Sequence, residues 1–472
     1  MRHSTKESGE PAPRGPGGGK GVTGDKEPLD GPTTETTGSE QVSTKLRRVA
    51  ELARQRPDLV LTTLAHHMDI ALLREAYRRT QKSKAPGVDG VTARDYEQDL
   101  EGNLADLHER AKSGRYRAPP VRRVHIPKGK GGTRPIGVPT LEDKVLQRAV
   151  TQVMEAVYEQ DFLDCSHGFR PGRSPHTALE SLWKHAMSMG GGWLLEVDIQ
   201  GFFDNLEPTH LRAILDQRVR DGVFRRLIDK WLKAGVQEDG ALHRSRKGTP
   251  QGGVISPLLA NIYLHAVLDR WFVEEVKPRL AGRAELVRYA DDFVILFAVE
   301  ADARAMSSIL AQRLGRFGLT LHPDKTRLVR FQPPEDGAAG SGTFDFLGFT
   351  HHWSRSRRGR WTVQRRTTRH VVTRTLTGLR DWCRRNRHDK VRVQYSTLCS
   401  KLRGHYLYFG VTGNSAALRR VWYEARRIWH RWLSRRSRAA YMSWARFEQL
   451  LRAYPLPPPR LTRSVYAASP CR

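Results

Sequence analysis

The stretch LVRYADDFVILF, residues 286–297, sets two adjacent aspartates inside an apolar run. Neighbouring carboxylates in poorly solvated surroundings oppose each other's ionisation, and a cation is the economical way to neutralise them. The apolar arms read as two short strands, which puts Asp291 and Asp292 at a hairpin turn, held by a sheet and reachable from a cleft. A second carboxylate has the same look. In WLLEVDIQGFFDNL, residues 193–206, an apolar strand runs into Asp198, followed by a turn and a helix. If the two strands are neighbours, Asp198 and Asp291 face each other. Magnesium suits such a place, because it takes one or two carboxylates and fills its other positions with water and substrate phosphate. Two such ions about 3.5–4 Å apart activate an attacking hydroxyl and stabilise a leaving oxygen in phosphoryl transfer. Taken alone, an Asp-Asp pair is more commonly a solvated turn.

The rest of the chain narrows the choice. Among 472 residues, 80 are Lys or Arg and 50 are Asp or Glu, a formal net charge of +30, so a polyanion is the first partner to consider. The plainer alternative is a solvated basic surface. Cys165, Cys383, Cys399 and Cys471 are scattered with no C-x-x-C pair, which argues against a disulfide framework or a structural zinc site and fits a reducing compartment. No apolar run reaches the roughly 18 residues of a membrane span. The expectation is a soluble, cytoplasmic protein with no membrane partner.

Residues 1–45 are rich in Gly, Pro, Thr and charge, with few large apolar side chains, and are expected to form a disordered tail. Its GPGGGKG is not read as a phosphate loop, since Lys20 is followed by Gly21 and no strand precedes it. From 46 to 350 the pattern is mixed α/β: LREAYRRTQ and LEDKVLQRAVTQVMEAVYEQ read as helices, and WLLEVDI, LVRYA, FVILF and FDFLGF as strands. From 351 to 472 it is basic and mostly helical. There 29 Lys and Arg stand against 4 Asp and Glu, interleaved with Trp353, Trp361, Trp382, Trp422, Trp429, Trp432 and Trp444. Guanidinium groups among rings suit RNA phosphates and splayed bases, although any single Trp is more simply a core residue. The pairs His66-His67 and His351-His352 lack further ligand spacing and read as exposed or capping histidines rather than a metal site.

YADD together with VDIQGFFD resembles the catalytic signature of reverse transcriptases. The ordered blocks KAPGVDGVT, VRRVHIPKGKGGTRPIGVPTLEDKVLQRAV, HGFRPGRSPHTAL, KGTPQGGVISPLLANIYL, GLTLHPDKT and FDFLGF extend the resemblance to group II intron-encoded reverse transcriptases. YSTLCSKLRGHYLYFGVTGN and LRRVWYEARRIWHRWLSRRS are similar to that family's thumb and maturase domain, and the ending PPPRLTRSVY is similar to members lacking the HNH endonuclease. The resemblance implies an α+β right-hand polymerase, with fingers and a palm built on an antiparallel sheet, followed by an α-helical thumb and maturase domain.

Residue roles follow from the same resemblance. Asp198, Asp291 and Asp292 match the triad that holds two Mg²⁺ ions. Lys128 and Arg134 match residues that grip the incoming triphosphate, where a compact charge and a bidentate fork are both apt. Phe203 matches the ring that excludes a ribose 2′-OH, against the alternative of a core Phe. Gln251 matches a residue beside nucleotide and template, with Gly252 and Gly253 permitting close backbone approach. Lys325 matches a palm lysine, an exposed salt bridge being the other reading, and Arg170 and Arg173 are expected at template or primer phosphate. The implied partners are group II intron RNA, an RNA template, a DNA primer or target, and dNTP. The implied place is the bacterial cytoplasm, nucleoid-associated when on DNA. The implied activity is RNA-directed DNA synthesis with assistance to splicing during retrohoming. Alternatives are a splicing cofactor with a vestigial polymerase site, or a domesticated reverse transcriptase in defence or repair. Oligomeric state is not legible in the sequence.

Overall fold

The computed structural model of the chain describes residues 33–83, 85–127, 132–238, 241–243, 252–334, 342–356, 358–437 and 441–464. Lys128, Gln251, Cys471 and most of the expected tail lie outside them. Within them the strands, in chain order, are β1 (Val121–Pro127), β2 (Thr133–Val138), β3 (Gly192–Val197), β4 (Val236–Glu238), β5 (Ala241–His243), β6 (Ala284–Tyr289), β7 (Asp292–Phe297), β8 (Arg327–Phe331), β9 (Phe344–Phe346), β10 (Phe349–Arg355) and β11 (Trp361–Thr367). They form three sheets, ordered β2-β1-β4-β5, β6-β7-β3-β8 and β11-β10-β9. All pairings are antiparallel except that of β1 with β4.

In the central sheet β6-β7-β3-β8 the strands β3, β6 and β7 are buried on both faces, and their period-two alternation divides their side chains between two cores. Leu195, Val197, Leu286, Phe293, Ile295 and Phe297 join the large core with the N-terminal helices. Leu194, Val287, Val294 and Leu296 face a second core, with the helix Pro175–Met189 and the sheet β9-β10-β11. This double burial explains why FVILF reads as a continuous apolar run.

The main helices of the large core carry their own start signals. The helix Leu141–Tyr158 begins at Thr140, whose hydroxyl accepts from the Asp143 amide at 3.2 Å, with Glu142 and Asp143 in its first turn. It is buried nearly all round, and the helix Ile70–Arg79 packs on it. Pro175–Met189 opens with a Ser174–Thr177 capping box and Pro at its first position, and closes at Gly190.

Four features differ from the sequence reading, each for a packing reason. A helix spans Thr33–Gln55, so it begins inside the segment expected to be tail. Val42, Val49 and Ala53 are buried on one face with Leu46 beside them, at the helical spacing that lets them pack on Leu141–Tyr158. FDFLGF is a hairpin rather than one strand: Phe346 pairs with Phe349 across Leu347 and Gly348, both at positive φ. The segment following 351 continues as β10 and β11, with alternate residues buried, before helices take over at Arg369. His351 is not exposed; its ring is fully buried and stacks on Phe344 at 4.7 Å.

The C-terminal helices Arg369–Arg385, Val391–Phe409, Ser415–Leu433 and Trp444–Ala453 close around a third core containing Cys383, Leu402, Leu418, Val421, Trp429 and Phe447. Asn414 ties them to β11, its Oδ1 accepting from the Thr367 amide at 2.9 Å and its Nδ2 donating to Thr367 Oγ1 at 2.8 Å.

Candidate active site

The loop between β6 and β7 holds two residues, Ala290 and Asp291, because Tyr289 pairs directly with Asp292. So tight a hairpin needs a left-handed residue to follow the sheet twist, and Ala290 supplies it at φ 57°. Asp291 is in the turn and Asp292 opens β7. Asp198 directly follows β3, and the pairing of Val197 with Phe293 sets it beside Asp292 on the adjoining strand. Thus the sheet brings all three expected carboxylates to one end, with Asp198 and Asp291 half-buried and Asp292 exposed.

What holds the hairpin is Arg288, a residue the sequence reading passed over. It is fully buried in β6, and its guanidinium donates from Nε to Asp269 Oδ1 at 2.7 Å and from Nη2 to Asp269 Oδ2. Further bonds run to Asn261 Oδ1 at 3.0 Å, Ser166 Oγ at 2.8 Å and the carbonyl of Ala290 at 3.0 Å. Burial works against the charge, but the Asp269 carboxylate outweighs it and holds the guanidinium above its ordinary pKa, with Asp291 adding to the effect. A bidentate pair is what makes a charge with zero exposure affordable, and it pins the turn residue that precedes Asp291. The one available signal was a lone Arg within an apolar strand, which requires a partner from elsewhere in the chain.

Other expected residues fall into three groups. Lys325 and Phe203 are near the aspartates: Lys325 Nζ donates to Asp198 Oδ2 at 2.9 Å, and Phe203 lies in the short helix Phe202–Asn205 just beyond Asp198. Phe202 is the buried ring of that helix, while Phe203 is only half-buried. Arg170 is buried and its guanidinium is taken up by partners within the protein. Its side chain is 4% exposed, and its guanidinium donates to Glu159 at 3.0 Å and to the carbonyls of Leu163 and Ser166 at 2.8 and 2.9 Å, so it clamps its own loop. Arg173 stays partly exposed and bonds Asp164 at 2.6 Å. Arg134 sits in β2 opposite Ile126, and its side chain lies outside the described residues, as do Lys128 and Gln251. Beside Gln251, Gly252 is at φ 115°, and a Cβ there would come within 2.2 Å of the Gly137 carbonyl, so only glycine lets the loop meet β2.

Among the described residues no three His, Cys, Asp or Glu side chains form a ready metal cage. The donor set nevertheless fits a hard cation that brings its own water and phosphate ligands and needs only one or two protein carboxylates. Asp198 already draws one cation, the Lys325 ammonium. The C-terminal helices reach the same place: Tyr408 donates to the Leu347 carbonyl at 3.1 Å, and burial, with Tyr289 and the Asp292 carboxylate, pushes its phenol up to about 12.

Residues 126–351 match the model of the reverse transcriptase (RNA-dependent DNA polymerase) family. The chain is 35% identical over 361 residues to Protein YkfC of Escherichia coli K12, covering 68% of this chain and 91% of that protein. It is 38% identical over 239 residues to the group II intron-encoded protein LtrA of Lactococcus lactis, covering 50% of this chain and 39% of LtrA. A putative COX1/OXI3 intron 1 protein of Saccharomyces cerevisiae is 27% identical over 318 residues, 57% of this chain and 37% of that protein.

Proposed function

We propose, on the premise that this chain belongs to the group II intron-encoded reverse transcriptases, that it copies RNA into DNA from a primer end placed at Asp198, Asp291 and Asp292. The observation that carries this reading is the pairing of Val197 with Phe293, since Asp198 and Asp292 are the next residues on those two neighbouring strands and Asp291 is in the adjoining turn. Two magnesium ions held by these carboxylates would supply activation of the primer 3′-OH and charge neutralisation at the α-phosphate and departing pyrophosphate.

The chain's own residues do the positioning. Arg288 fixes the turn through the Ala290 carbonyl, so the Asp291 carboxylate is presented from a rigid strand end. Lys325, bonded to Asp198, holds that carboxylate while no other cation is near and is free to turn to a phosphate when one arrives. Phe203, half-buried beyond Asp198, is the ring that would meet a 2′-OH and favour a dNTP. Arg134, in β2, and Lys128, the next residue in sequence after β1, are the cations for the triphosphate, and Gln251 precedes in sequence Gly252, which meets β2. In this reading the β1–β2 sheet is the fingers, the central sheet the palm and the C-terminal helices the thumb and maturase part. The last of these carries the basic surface for the intron RNA and splicing.

Primer extension tests it. Purified protein with Mg²⁺ extends a DNA primer on an RNA template, and Asp291→Ala loses extension while still binding intron RNA. An inactive wild-type protein that binds the RNA equally well would instead make the chain a splicing cofactor only.

A further inference from the structure

We propose that Phe169, together with Tyr289, forms an apolar platform on which the primer–template end rests beside the aspartates. The proposal relies on the polymerase reading above and adds a contact to it. Phe169 is 57% exposed, and its backbone sits at φ 54°, a region that side chains with a Cβ rarely occupy. A large ring held outward on a strained backbone costs free energy twice, in strain and in exposed apolar surface, and such strain persists only where surrounding bonds impose it.

Those bonds are present on both sides of the residue. The Arg288 amide donates to the Cys165 carbonyl and the His167 amide to the Arg288 carbonyl, each at 2.8 Å. Asn261 Nδ2 holds the Gly168 carbonyl at 2.7 Å, and Gly168 lies so close to the hairpin that a Cβ there would meet the Ala290 nitrogen at 2.3 Å. On the far side Arg170 is clamped to Glu159 and two carbonyls. The loop is therefore one rigid piece with the β6–β7 hairpin, and the side chain it turns outward is Phe169.

The ring's centroid lies 6.2 Å from that of Tyr289, two residues before Asp291, with a 39° tilt between planes. Two adjacent rings beside a carboxylate cluster offer a flat apolar surface where a polyanion end must arrive. Bases and sugars present such a face whatever their sequence, so the contact suits a polymerase that copies any template.

The experiment uses the full chain and compares Phe169→Ala, Phe169→Gly and Phe169→Tyr with wild type in primer–template affinity, steady-state extension and thermal midpoint. Removing the ring is expected to weaken primer–template binding by about ten-fold, raising KM for primer–template more than it lowers kcat. Phe169→Tyr should bind as wild type does, and Phe169→Gly, which relieves the backbone, should melt no lower than wild type. Wild-type affinity in Phe169→Ala overturns the proposal. So does a lowered melting point in Phe169→Gly that accounts for its loss of binding, since that is a packing residue's signature. If wild-type protein fails to extend a primer, the polymerase reading falls first; if it extends and Phe169→Ala matches it, only this proposal falls.

Discussion

The root of the β6–β7 hairpin and the C-terminal helices both use arginine, and they treat it oppositely. Arg288 has no exposure and spends its guanidinium on Asp269, Asn261, Ser166 and the Ala290 carbonyl. Arg419, Arg420, Arg427 and Arg431 stand exposed on the helix Ser415–Leu433, whose opposite face supplies Leu418, Val421 and Trp429 to the third core. A buried charge must be neutralised within the protein and so fixes geometry; an exposed one remains available to an outside anion. In the proposed reading the hairpin root serves precision, and the helices serve attraction.

The largest expected effect separates the two. Asp291→Ala should reduce primer extension by about three orders of magnitude, the equivalent of several kcal/mol of lost charge stabilisation, and leave RNA affinity within about two-fold. Equal loss in extension and binding would show that the two regions do not divide the work. Next, Arg288→Ala strands the Asp269 carboxylate in the core and should cost about 3–5 kcal/mol of stability, read from denaturant unfolding. Pairing Arg288→Met with Asp269→Leu removes both charges, so stability should return. Extension should stay impaired, because the Ala290 carbonyl has still lost its donor. A double variant that recovers full extension would reduce Arg288 to a structural ion pair.

This contrast also marks what a sequence can disclose. The three strands that lead into or out of the aspartates announce themselves through short, mostly apolar runs, and YADD needs only its two flanking arms to be read as a hairpin. The helices at 141–158, 391–409 and 415–433 likewise carry their period in a single stretch. Arg288 could not be read this way, since its partner Asp269 lies 19 residues earlier, beyond the reach of any local pattern. Arg170 shows the converse: an arginine in a motif-like GFRPGRS invites a phosphate, but Glu159 and the carbonyls of its own loop claim it first. Phe169, its neighbour in the same motif, was hidden because exposure and positive φ are properties of the folded backbone alone. The segment 351–367 was obscured by its charge, its alternate burial being shared with the polar residues His351, Arg365 and Thr367.

A third treatment of charge sharpens the comparison. Asp143 is buried without an arginine; it accepts from Tyr116 Oη and Trp231 Nε1 at 2.7 Å and from Gln147 Nε2 at 2.9 Å. Burial outweighs these donors and pushes its carboxyl up to about 6 from an ordinary 3.8. A raised folded pKa contributes stability that is complete below about pH 4 and is lost as pH rises through 6. The rise is worth about 3 kcal/mol, so the stability of wild type relative to Asp143→Asn should fall by about that amount between pH 4 and pH 7. A difference independent of pH would mean that the neutral donors stabilise the carboxylate as fully as Asp269 is stabilised by Arg288.

The smallest effect belongs to the helices, and it tests whether attraction there is additive. Each exposed arginine that meets a phosphate releases counterions on binding, so Arg419→Gln or Arg420→Gln should reduce the slope of log affinity against log salt by about 0.7 each. Together they should reduce it by about twice that, with extension at saturating RNA unchanged, because neither side chain is part of the hairpin or its supports. A slope that stays fixed would remove this face of the helix from the RNA contact. A fall in kcat at saturation would mean that the helices also set geometry, through Tyr408 at the Leu347 turn, and that precision and attraction are not as separate as their arginines suggest.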